Sequence, residues 1–188
     1  PAQVETAIRP DAEVLPRSRV VSVENTANKA GGVTYPLERI EAIADVARTH
    51  DLHLHLDGAR LWNAATALDV MEKTLAAPAD LVWVALSKGL GAPVGSVIAG
   101  PSPLIDDARR IRKQFGGGMR QAGILAAAGL YAIEHHRPRL SRDHEKAQRL
   151  AQGLADCPGF SINPAKVDTN IVIFEVPDGT AEQVAADL

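Results

Sequence analysis

Residues 37–60, LERIEAIADVARTHDLHLHLDGAR, change period once and then stop on charge. Leu37, Ile40, Ile43, Ala44 and Ala47 recur at helical spacing up to His50, the pattern of an amphipathic helix with one buried stripe. From Leu52 to Leu56 the period becomes two, the pattern of a strand, and the run ends on Asp57, Gly58 and Arg60. Upstream, the β-branched run Arg19–Val23 reads as a strand leading into the polar, Gly-rich stretch 24–32, ENTANKAGG. Downstream, a helix is expected to open near Ala59, followed by a third apolar run at Leu81–Leu86. Strand, helix, strand, helix, strand implies an α/β layered domain with parallel strands.

The next connection breaks that rule. Only seven residues, Lys88 to Val94, separate the third strand from the next, GSVIAG at 95–100. A parallel crossover needs a dozen or more, so the fourth strand is expected to run antiparallel. Beyond Pro101 the text turns helical, through 103–115, 119–137 and 139–157. The middle helix is apolar on nearly every side and is expected to lie buried between other elements. Residues 169–176, TNIVIFEV, read as a further strand, and 180–188 as the start of a helix.

The 188 residues suffice for one sizeable core, and 20 Lys+Arg against 23 Asp+Glu leave a formal charge of −3 with no long run of either sign. Neither a nucleic-acid stripe nor a membrane-binding face is indicated. Cys157 is the one cysteine, so no intrachain disulfide or Cys-based zinc site can form, which favours a reducing, cytoplasmic setting. The first residue, Pro1, and the helical last residues read as the ends of a fragment.

In α/β sheets ligands gather at the carboxyl ends of the strands. Three polar sets fall there: Glu24-Asn25-Thr26, Asp57 to Arg60, and Ser87-Lys88-Gly89. Asp57 taken alone reads equally well as a helix N-cap, worth about 1 kcal/mol. Lys88, taken alone, is most simply a solvated surface group. Its setting, directly after VWVAL and before GLGAP, changes that, because an amine desolvated at such an edge titrates lower and can form a Schiff base. A carboxylate one strand away can then hold a pyridine nitrogen, which is what makes pyridoxal 5'-phosphate an electron sink.

ENTANKAGG (24–32), HLDGARLWNAA (55–65), SKGLGAPVGS (87–96) and GGGMRQAG (116–123), in this order, closely resemble the low-specificity L-threonine aldolases. These are fold type I pyridoxal-phosphate enzymes with the aspartate-aminotransferase fold. The resemblance implies a three-layer α/β sandwich with a mostly parallel sheet and one antiparallel strand. Residues 1–137 would form part of the large cofactor domain, and 138–188 a bridging helix and the start of a small C-terminal domain. Lys88 matches the family lysine that holds the cofactor as a Schiff base, with Ser87 beside it. Asp57 matches the acid paired with the pyridine nitrogen, and Arg60 the arginine near the ring 3-hydroxyl. Lys113 and Arg120 match basic residues that approach the cofactor phosphate across a subunit interface, although Lys113 by itself reads more simply as part of a solvated helix face.

The implied reaction cleaves threonine or allo-threonine to glycine and an aldehyde, in a homo-oligomer, dimer or tetramer. The family reads Glu-Asn-Thr-His-Asn where this chain has Ala27, and that histidine contacts the substrate β-hydroxyl. His53 and His55 share the strand face of Asp57 by period two, and His55 reads better as a packed histidine than as a support for the carboxylate. Family members carry further residues at both ends, including a ring that stacks on the cofactor. This stretch alone is therefore expected to bind cofactor weakly and to turn over little. Rival readings are another fold type I enzyme, a β-eliminating lyase or an aminotransferase, and a noncatalytic oligomerising module. A Rossmann-type nucleotide binder is disfavoured, because no Gly-x-Gly-x-x-Gly opens a helix after a strand.

Overall fold

The computed structural model describes residues 1–177 and 180–187. Four strands, β1 (Val20–Glu24), β2 (His53–Gly58), β3 (Leu81–Ala85) and β4 (Ser96–Ala99), form one sheet in the order β1-β2-β3-β4. The first three are parallel and β4 runs antiparallel to β3, as the seven-residue connection requires.

Helix α1 (Ala2–Ala7) precedes the sheet, and α2 (Leu37–Thr49) makes the crossover from β1 to β2. Pro36 sets the extended entry to α2, and Ile40, Ile43, Ala44 and Ala47 are its buried stripe. The helix stops because Asp51 takes φ +54°, which lets the Leu52 N–H bond back to Ala47 O at 2.9 Å. Helices α3 (Leu61–Leu68) and α4 (Glu72–Ala76) cross from β2 to β3. Together these helices bury the sheet face that carries Val23, Leu54, Leu56 and Val82, with Ile40, Ala64 and Leu75 wholly enclosed. The opposite face, with Val20, Ser22, His53, His55, Asp57 and Trp83, stays half-exposed or exposed. Helices α2, α3 and α4 thus cover one face of the sheet.

Helices α5 (Ser102–Gln114) and α6 (Gly123–Tyr131) follow β4, then a π-helical turn (132–136), a 3-10 turn (137–139) and the long α7 (Leu140–Ala155). Arg137 fixes this segment to α4 with a forked pair of bonds to Glu72, 2.6 and 2.8 Å. Leu86, Leu90, Ala92, Ala132 and Leu140 form a second, smaller core between the end of β3 and α7.

Two expectations are overturned. Helix α6 is not enclosed: Ile124 is 82% and Leu130 61% exposed, and Gly129 is its one buried residue. An apolar circumference says that a helix needs cover, and among the described residues nothing supplies it. Residues 169–176 form no regular strand. Among the described residues their pairing is an isolated bridge between Glu175 and Ser161, outside the sheet. Instead the segment straps the 27–35 loop, with Thr169 Oγ1 donating to Gly32 O at 2.8 Å and Asp168 accepting from Thr34. Helix α8 (Ala181–Asp187) bears out the helical reading of the last residues, of which Leu188 lies outside the described ones. Among the described residues no helix is long and apolar enough to cross a membrane.

Candidate active site

The parallel strands bring their carboxyl ends to one sheet edge, and the register aligns Glu24, Asp57 and Trp83 in one row across it. Side chains alternate along β2, so Leu54, Leu56 and Gly58 enter the core while His53, His55 and Asp57 take the open face. Trp83, in register with Asp57, shares that face. The Lys88 amine lies over the Trp83 ring, 5.7 Å from its centroid. An amine and a carboxylate from adjacent strand ends therefore lie on the same side of the sheet.

Asp57 is not the cap of α3. It is the fifth residue of β2, and Arg60 occupies the N-cap position without a side-chain cap bond. One carboxylate oxygen, Oδ1, accepts the Ala59 N–H at 3.0 Å, which holds the group at the strand end. Arg60 Nη1 is buried and has no hydrogen-bond partner, an arrangement that costs stability unless a ligand oxygen meets it. Gly58 makes this corner sterically feasible: a methyl built on it would stand 2.7 Å from the Trp83 carbonyl oxygen and 3.0 Å from Leu61 Cβ. Backbone cannot yield there, so Gly58→Ala is expected to destabilise the protein by about 2 kcal/mol, read as a lowered urea midpoint.

The loop after β1 is also tightly built. Asn25 is fully buried; its N–H donates to Asp57 O at 2.9 Å, and its side chain exchanges two 3.1 Å bonds with the Tyr35 backbone. Thr26 is equally buried, its Oγ1 unpartnered. Ala27 bridges Val33 through backbone, and its methyl brings no polar group to the loop. Neither histidine of β2 supports Asp57. His55 Nδ1 pairs with Ser22 Oγ at 2.9 Å, and His53 sits exposed, 3.7 Å from Asp80.

The expected desolvation of Lys88 is not met: Ser87 and Lys88 are both exposed, because the turn projects from the uncovered sheet face. Lys113, in the last turn of α5, and Arg120, in the loop before α6, are likewise exposed. Among the described residues no contact joins either to Asp57, Arg60 or Lys88. No local sequence pattern marks Trp83 as part of the site; the pairing of β2 with β3 puts it opposite Asp57.

A second buried polar pair lies behind the lysine turn. Asn63 on α3 is 1% exposed and meets His144 of α7, Nδ2 to Nε2, at 3.0 Å. Burial holds His144 below its ordinary value of 6.5, with the neighbouring Asp143 carboxylate opposing the shift. Its contribution to stability is complete above pH 6.5 and is lost as pH falls through 6.5 to the depressed folded value, since the unfolded chain takes up the proton first. Urea midpoints measured from pH 7.5 to 5 are expected to fall more steeply in the wild type than in His144→Gln.

The family model described as beta-eliminating lyase matches residues 1–177. Low-specificity L-threonine aldolase 1 of Arabidopsis thaliana is 44% identical over 190 aligned residues, covering 98% of this chain and 53% of the relative. Among solved structures, a Listeria monocytogenes protein assigned as an L-allo-threonine aldolase superposes with a TM-score of 0.76 at 26% identity, covering 84% of this chain and 44% of that one. A pyridoxal-phosphate-dependent aminotransferase from Streptococcus suis shares the fold, with a TM-score of 0.74 at 17% identity over 99% of this chain and 48% of its own. The chain spans about half the length of the curated relatives it matches. A mostly parallel sheet with one antiparallel edge, a family match over nearly the whole sequence and this degree of identity agree: the chain belongs to the beta-eliminating lyase family.

Proposed function

We propose that this chain carries part of the active site of a pyridoxal-phosphate-dependent aldolase that cleaves a β-hydroxy-α-amino acid, threonine or allo-threonine, to glycine and an aldehyde. The observation that carries the reading is the placement of the Lys88 amine over Trp83, the residue in register with Asp57. The residues present suit the cofactor. Arg60 offers a buried, unpartnered guanidinium nitrogen, Asp57 a carboxylate of which one oxygen is bonded to backbone, and Lys88 an exposed amine.

When bound, pyridoxal phosphate supplies an electron sink for the charge left at Cα as the Cα–Cβ bond breaks. Asp57 would hold a protonated ring nitrogen through a charge-assisted hydrogen bond. Arg60, with its buried unpartnered Nη1, would donate to the ring oxygen, and the exposed Lys88 amine would hold the cofactor and move protons at the substrate. Ala27 cannot accept the β-hydroxyl proton, so that duty passes to another residue or to water.

The exposed apolar residues of the α5–α6 region, Phe115 at 86% and Ile124 at 82%, support assembly as a homo-oligomer, in which Lys113 and Arg120 would serve the phosphate of a neighbouring subunit. A cytoplasmic setting is part of this reading, supported by the free, exposed Cys157 of this stretch.

The test is product identity with pyridoxal phosphate and threonine. Glycine and acetaldehyde are the expected products. Pyruvate and ammonia from serine would select the β-eliminating reading instead, and cofactor bound at Lys88 without turnover of either substrate would select the noncatalytic one.

A further inference from the structure

Lys88 is exposed, yet the turn behind it is tied by backbone bonds and a buried leucine. Gly91 N–H donates to Lys88 O at 2.8 Å, Ala92 N–H to Leu86 O at 3.0 Å, and Leu90 is 1% exposed. Two side chains from outside complete the grip. The Asn63 carboxamide lies against Gly89, where an added methyl would stand 3.0 Å from Asn63 Oδ1 and 3.3 Å from Leu140 Cδ2. His136, from the π-helical turn before α7, places Nδ1 2.6 Å from the Leu90 carbonyl oxygen.

The chemistry of the partners assigns the protons. A carbonyl only accepts, so His136 Nδ1 carries the hydrogen and donates. An amide nitrogen only donates, so His144 Nε2 accepts from Asn63 Nδ2 and the ring is neutral, with its own hydrogen on Nδ1. Of the two residues that follow Lys88, Leu90 is held by the His136 hydrogen bond and Gly89 is packed against Asn63, whose carboxamide is oriented by His144; neither histidine contacts Lys88 among the described residues.

We propose that His136 and the Asn63–His144 pair are positioning residues for Lys88: they lock the Gly89–Gly91 turn and thereby fix where the lysine amine stands relative to Asp57. This rests on the reading of Lys88 as the cofactor lysine. Misplacing a reacting group by about 1 Å can cost on the order of a hundredfold in rate, so a loosened turn has a measurable consequence even with every reacting group intact.

The test uses the chain with pyridoxal phosphate, borohydride trapping at timed intervals, and peptide mass mapping, with exposed Lys73 on α4 as internal standard. Wild-type protein is expected to label Lys88 ahead of Lys73. His136→Phe and His144→Leu are expected to slow Lys88 labelling roughly tenfold or more while Lys73 is unchanged, and to speed amide hydrogen exchange in the peptide 86–92. His136→Asn keeps an N–H donor near Nδ1 and His144→Gln an acceptor near Nε2, so both are expected to restore labelling and protection. Wild-type labelling rates in the Phe and Leu variants would overturn the proposal, as would Asn and Gln variants as impaired as Phe and Leu, which marks a general packing role. Equal labelling of Lys88 and Lys73 in the wild type would instead overturn the reading of Lys88 itself, and the positioning role with it.

Discussion

Lys88→Ala is expected to abolish borohydride-fixed pyridoxal phosphate at the SKGLGAP segment and to lower aldehyde release by roughly a thousandfold or more, the scale seen when a covalent anchor is removed. The side chain is exposed, with its amine over the Trp83 ring, 5.7 Å from the centroid. Its removal therefore leaves the fold intact, and the unfolding midpoint should stay within about 0.5 kcal/mol of the wild type, as for other surface substitutions. Loss of label and turnover without loss of stability is the combination expected of a chemical role. Lys88→Arg should behave like the alanine variant, because a guanidinium keeps the charge but is too weak a nucleophile at neutral pH. Retained labelling at another lysine with full turnover would remove Lys88 from the site.

Asp57→Asn is expected to cut turnover by about two to three orders of magnitude, comparable to the loss of one preorganised electrostatic partner. The substitution is sharply diagnostic because Asp57 does two separable things. Its Oδ1 accepts the Ala59 N–H at 3.0 Å, a bond that an asparagine oxygen can also make. Its negative charge is what a protonated ring nitrogen needs, and asparagine lacks it. Stability should therefore hold while turnover falls, whereas Asp57→Ala should lose both, leaving the buried Ala59 N–H unsatisfied at a cost of about 1–3 kcal/mol. Equal turnover in wild type and Asp57→Asn would show that no charged nitrogen is held there, and kinetics with threonine and added pyridoxal phosphate decide the matter.

Most of the sheet was legible because the signals that specify it are local. Period two at residues 52–56 and helical spacing from Leu37 to Ala47 report which side chains are buried without reference to distant partners. The same period two put Asp57 on the face of His53 and His55, where the structure has it. The stretch 169–176 failed for the opposite reason. Its β-branched composition is equally local, but a strand exists only where a partner strand pairs with it, and that partner must come from elsewhere in the fold. Helix α6 failed similarly, since composition reports the need for cover and not its source.

Chain connectivity and side-chain period, which act over short distances, settle the parallel sense of the first three strands, the antiparallel turn forced by seven residues, and the residue types gathered at the strand ends. Packing of distant elements sets Trp83 beside Asp57 and beneath Lys88, leaves the lysine exposed, and brings Asn63 to a histidine 81 positions away. Register and long-range contact depend on how separate elements pack against one another, and no local pattern in the chain encodes that.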